Sequence, residues 1–178
     1  MWYENVQHEE VRILQKKTVA RVLLLGLLLF ELALIFKLSN EPAPQSDTTS
    51  ADFTEQMLAA DSDFLASSQA ERDARVQALQ KGIRTLAHFA EYTLLGLTAA
   101  ALALTMEKRL RGTAIAVLFC VLWAVSDEVH QSFIPGRSCQ VSDVAVDSAG
   151  ILLGACAVWA VFQLVQTVRK KRKDECNE

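Results

Sequence analysis

Residues Thr113–Val125, TAIAVLFCVLWAV, run without a break into Ser126–Arg137, SDEVHQSFIPGR. The first part reads as most of a membrane-spanning helix, but alone it is too short. A helix needs about 20 residues to cross the hydrocarbon core, so the span continues through Asp127, Glu128 and His130 to about Phe133. Ionisable groups inside a bilayer cost about 3 kcal/mol each on insertion scales, so by default they mark a functional site. Pro135-Gly136 then signals a turn.

The same apolar density recurs along the chain. Hydrophobic residues make up 51% of it and charged residues 22%, and only 3 prolines and 7 glycines interrupt. The apolar residues fall in long blocks, which is the pattern of an integral membrane protein. The expected fold is all-α: a four-helix transmembrane bundle in one domain, with spans near 22–38, 83–106, 113–133 and 143–168. Val22–Leu38 is longer than a secretory h-region, and Ser39–Pro44 offers no small-x-small cleavage site, so it reads as a retained first span. Residues 39–82 form a hydrophilic outer loop that starts extended at Pro42 and Pro44. Within it Phe53, Met57, Leu58, Phe64, Leu65, Val76 and Leu79, continued by Ile83 at the start of the next span, fall near helical spacing, which predicts short helices on the membrane surface. Cys120 and Cys156 lie in spans, Cys139 in a loop and Cys176 in the tail, a pattern that suggests neither a thiolate metal site nor a disulfide framework.

Lys and Arg cluster in the N-terminal segment, in the Lys108–Arg111 turn and in the Arg169–Lys173 tail. With four spans these clusters share one side, so the positive-inside rule predicts N-in, C-in topology. The tail reads as a topology anchor and not as a nucleic-acid contact. At 1.5 Å of rise per residue, Glu31 lies about 10 Å below the outer end of its span, His88 about 8 Å and Glu91 about 12 Å. Asp127 and His130 lie about 9 Å and 5 Å inside the outer end of the third span. Asp143 and Asp147 open the fourth. The expensive groups thus share an outward-facing layer, while the inner half of each span holds almost none. That distribution argues against a transporter or a proton relay.

Helical phase groups these residues. His88, Glu91, Tyr92 and Leu95 form one stripe, and Asp127, His130 and Gln131 another, with Glu128 about 100° round. Asp143, Asp147, Gly150 and Gly154 form a third, on which Gly150-x-x-x-Gly154 permits close helix approach, to another span or to a second copy of the chain. Two chemistries fit. His88, Glu91, Asp127 and His130 are the donors a divalent metal would take. A carboxylate could hold His88 or His130 as an acid/base, with Arg137 binding a phosphate or carboxylate. The polar groups could also serve only to hold the bundle together.

His88-Phe89-Ala90-Glu91-Tyr92-x-x-Leu95-Gly96, Asp127-Glu128-x-His130-Gln131-x-Phe133-x-Pro135-Gly136-Arg137 and Asp143-x-x-x-Asp147-x-x-Gly150-x-x-x-Gly154 resemble the VanZ-like family. Phe36-x-x-Ser39 is similar to its first motif. Many relatives carry Lys three residues before the histidine, where this chain has Thr85 with Arg84 adjacent. The family takes its name from a bacterial membrane protein linked to teicoplanin resistance. The resemblance therefore implies a bacterial inner-membrane protein acting at the cell envelope. Combined with the polar layer, it leads to an expected pocket that binds or acts on an anionic, lipid-linked envelope precursor among the membrane lipids. In that pocket His88, Glu91, Asp127, Glu128, His130 and Arg137 carry the chemistry, and Glu31, Tyr92, Gln131, Asp143 and Asp147 support them. The competing expectation is a non-catalytic binding or interaction protein.

Overall fold

The computed structural model describes residues 2–40, 61–135, 137 and 139–176, together with Pro42, Thr54, Gln56 and Leu58. Its elements are α1 (Trp2–Ser39), α2 (Ser62–Ala66), α3 (Gln69–Leu104), α4 (Arg109–Gln131) and α5 (Val141–Glu175). No strand occurs among the described residues. The four long helices are each long and apolar enough to cross a membrane. Large side chains such as Leu23, Phe30, Leu118, Leu122 and Leu164 stay exposed on the bundle's outside. Lipid tails are as apolar as leucine, so nothing drives such side chains inward.

The helices outrun the apolar blocks that define them. The second was expected to begin at Ile83, after short helices lying on the membrane surface. Instead α3 starts at Gln69 and runs unbroken to Leu104. Ser68 caps it: its Oγ accepts from the Glu71 N–H at 3.4 Å, while Glu71 Oε2 accepts from the Ser68 N–H at 3.0 Å. This capping box satisfies two otherwise orphaned groups. Gln69–Lys81 then contains neither proline nor glycine and is rich in good helix formers. α1 likewise starts well before Val22, and α5 continues through the Arg169–Lys173 cluster. Phe64, on the short α2, is buried, whereas Phe53 and Met57 lie outside the described residues.

α3 is the hub. It packs most extensively on α5, then on α4 and α1, and α1 touches α4 only lightly. The core between them holds Leu32, Ile35, Tyr92, Leu95, Ala99, Cys120, Ala124 and Ile151. Glycines set the α3–α5 separation. A Cβ on Gly96 would strike the Ile151 backbone, one on Gly150 would meet Phe89 O at 2.7 Å, and one on Gly154 would meet Leu97 N at 2.7 Å. The Gly150/Gly154 face therefore packs on α3 within the chain and is not left for a second copy.

At the end of the bundle where α3 stops and α4 starts, Arg21 reaches from α1 to bond the Thr105 carbonyl and hydroxyl. A guanidinium there satisfies carbonyl groups that a helix C-terminus leaves orphaned. Arg109 lies over the Phe162 ring at 5.1 Å, tying α4 to α5. The opposite end, where α1 and α4 finish and α5 begins, carries the polar residues.

Candidate functional site

The expected site residues separate into two groups. The first is a knot around Asp127, which is only 5% exposed. Its Oδ2 accepts from Ser39 Oγ at 2.7 Å, Tyr92 OH at 3.2 Å and Gln131 Nε2 at 3.2 Å. The Gln131 amide also donates to Ser39 Oγ at 3.2 Å. One carboxylate oxygen thus ties α1, α3 and α4 at a single level. Gln131 sits one turn beyond Asp127 on the same face, and Ser39 is the last residue of α1. Phe36, one turn before Ser39, stacks on His130 with ring centroids 4.9 Å apart. Both residues of the Phe36-x-x-Ser39 pair therefore meet the Asp127–Gln131 run.

Glu128 serves the loop. Its Oε1 accepts the Gln140 N–H at 2.6 Å, and Gln140 is the N-cap of α5. A carboxylate at a helix N-terminus satisfies an orphaned donor and complements the helix dipole. Glu31 lies apart from the layer expected to contain it. One of its oxygens accepts from Thr98 Oγ1 at 2.9 Å, well along α3 from His88.

The second group lines a cavity of about 340 Å³. α3 supplies Gln77, Gln80, Lys81, Arg84, Thr85 and His88, and α4 supplies Gln131. The following loop adds Arg137 and Gln140, and α5 adds Asp143, Val146 and Asp147. Arg137 Nη2 also donates to the Leu38 carbonyl at 3.4 Å, which places it over the end of α1. Deepest is Asp147, 2% exposed, whose Oδ1 faces His88 Nδ1 at 3.9 Å. That gap exceeds hydrogen-bonding reach, and neither atom has another partner.

Of the six residues expected to carry chemistry, His88 and Arg137 line this cavity, whereas Glu91, Asp127, Glu128 and His130 do not. The expected metal set of His88, Glu91, Asp127 and His130 does not assemble. Among the described residues no three His, Cys, Asp or Glu side chains could hold an ion together. Asp127 spends one oxygen on three donors, and His130 is turned to Phe36.

The sequence reading missed Gln77, Gln80 and Lys81 because it began the spanning helix at Ile83. The signal was present. Gln77, Lys81, Arg84, Thr85 and His88 follow i, i+4, i+7, i+8, i+11, one continuous helical stripe, downstream of the Ser68-x-x-Glu71 capping box.

No curated protein and no solved structure matches the chain. Residues 22–163 match the family model described as VanZ/LLP1, and the chain belongs to this VanZ-like family.

Proposed function

We propose that this VanZ-like membrane protein binds a phosphate-bearing, lipid-linked component of the bacterial envelope in the cavity headed by His88. The observation that carries the reading is that Lys81, Arg84 and Arg137 share the wall of one cavity. Guanidinium forks match phosphate oxygens in pairs, and an ammonium adds a compact charge. A cavity of about 340 Å³ suits a headgroup, leaving the attached chain in the surrounding bilayer.

Orientation follows from charge. Arg21 and Arg109 lie at the end of the bundle opposite the cavity. The positive-inside rule assigns that end to the cytoplasm. Both termini are then inside, and the cavity opens to the outer face of the inner membrane. A protein holding a precursor there would alter how glycopeptide antibiotics reach it, which connects this reading to the teicoplanin resistance of the family's namesake.

Binding without turnover is favoured over catalysis, because Asp127, Glu128 and His130 are engaged in holding helices and the loop. The His88–Asp147 pair supports a second reading, in which His88 handles a proton during transfer or hydrolysis at a phosphate or ester. Native mass spectrometry of the detergent-purified protein tests the first reading. The expected result is a phosphorus-containing lipid adduct on the wild type that is lost from the Arg84→Gln/Arg137→Gln variant. Equal adducts on both proteins would overturn it.

A further inference from the structure

The cavity is not uniformly basic. Asp143 and Asp147, one turn apart on α5, line it together with Lys81, Arg84 and Arg137. Two carboxylates repel a bare phosphate, so a site for that ion alone would not place them there. Asp147 is almost wholly buried, and its Oδ1 accepts no hydrogen bond. His88 stands 3.9 Å away, too far to satisfy it. A buried carboxylate oxygen without a donor is costly, and the missing partner is a donor entering through the cavity.

We infer that the ligand joins its phosphate to a primary amine a few bonds away, with phosphoethanolamine as the simplest member of the class. This rests on the phosphate reading above. Lys81, Arg84 and Arg137 take the phosphate oxygens, while the ammonium, with three N–H donors, reaches Asp147 and Asp143. Phosphocholine has the same charges but no ammonium N–H, and glycerol 3-phosphate has a hydroxyl in place of the amine. The class is thus separable from near neighbours by one functional group.

The test uses the full chain in detergent, with helical content checked by circular dichroism. Titration calorimetry compares phosphoethanolamine, phosphocholine and glycerol 3-phosphate. The same comparison is run with dihexanoyl phosphatidylethanolamine against dihexanoyl phosphatidylglycerol. The amine compound of each pair should bind about tenfold tighter, the weight of one charge-assisted hydrogen bond. Asp147→Asn, and separately Asp143→Asn, should erase most of that preference, while glycerol 3-phosphate binds each variant at least as tightly as the wild type because a carboxylate that repels phosphate is gone. A preference confined to the lipid pair supports the proposal with a membrane lipid as the source. A preference in the soluble compounds as well supports it with a free headgroup. Equal binding of amine and non-amine compounds by the wild type, or a preference surviving in both variants, overturns the amine inference and spares the phosphate reading. Failure of every compound to bind overturns both.

Discussion

Replacing Gly154 with alanine probes the joint on which the cavity depends. The added Cβ would lie 2.7 Å from Leu97 N and 3.1 Å from Gly96 C, with Thr93 O closer still. All three are backbone atoms, so no rotamer change can relieve the crowding. Carbon contacts settle near 3.5 Å, so α5 must withdraw from α3 by on the order of 1 Å. Overpacking of this kind costs about 1–3 kcal/mol. The same withdrawal widens the 3.9 Å gap between His88 and Asp147, two turns away along α5. Gly26 is the matched control: a Cβ there meets nothing within 4 Å. Its change to alanine should be neutral or stabilise by up to about 1 kcal/mol through helix propensity. Unfolding in rising mole fractions of sodium dodecyl sulfate, followed by circular dichroism, reads both. Gly154→Ala with wild-type stability would refute the claim that backbone contact at this residue sets the α3–α5 separation.

Other substitutions separate scaffold from cavity. Asp127→Ala strands the donors of Ser39, Tyr92 and Gln131 and should cost about 1 kcal/mol, because only the Ser39 and Tyr92 bonds cross between helices and such bonds in membranes average about 0.6 kcal/mol each. Asp127→Asn keeps an acceptor and should cost less than about half of that; equal losses in the same unfolding assay would contradict the network. His130→Phe preserves an aromatic stack on Phe36, so it should retain both stability and ligand binding, and loss of binding alone would move His130 into the site. Glu128→Gln weakens the charged contact to Gln140 N–H, so hydrogen exchange should quicken at the first turn of α5. Unchanged exchange there would argue against that capping role.

The bundle is legible because lipid leaves only helices and closed barrels as spanning solutions, and long unbroken apolar blocks select the helix. Val22–Leu38 is long enough to read as a span by itself, whereas Thr113–Val125 reads as one only when it is continued through Asp127, Glu128 and His130. Helix ends were less legible, because apolar blocks mark where a helix is buried in lipid and not where its hydrogen bonds stop. α3 gained Gln69–Gly82 through polar residues and a cap, and with them Lys81. For the site, periodicity placed Asp127, His130 and Gln131 on one face but could not give the rotation of the neighbouring helices. That rotation decides that Asp127 meets Ser39 and Tyr92 while His130 meets Phe36. It also decides that Asp147 is held beside His88 and beyond its hydrogen-bonding reach. The Gly150-x-x-x-Gly154 pattern marks a face for close approach but does not name the helix that meets it, which is α3.

The most direct test of the central claim is photo-crosslinking in living cells labelled with radioactive phosphate. A benzophenone amino acid is placed at Thr85, which lines the cavity, or at the adjacent Leu86, which is 71% exposed. A ligand phosphate held by Lys81, Arg84 and Arg137 predicts strong labelling from Thr85 that disappears with Arg84→Gln/Arg137→Gln, and only weak bulk-lipid labelling from Leu86. Equal labelling from the two positions, or labelling at Thr85 that survives loss of both arginines, would contradict it.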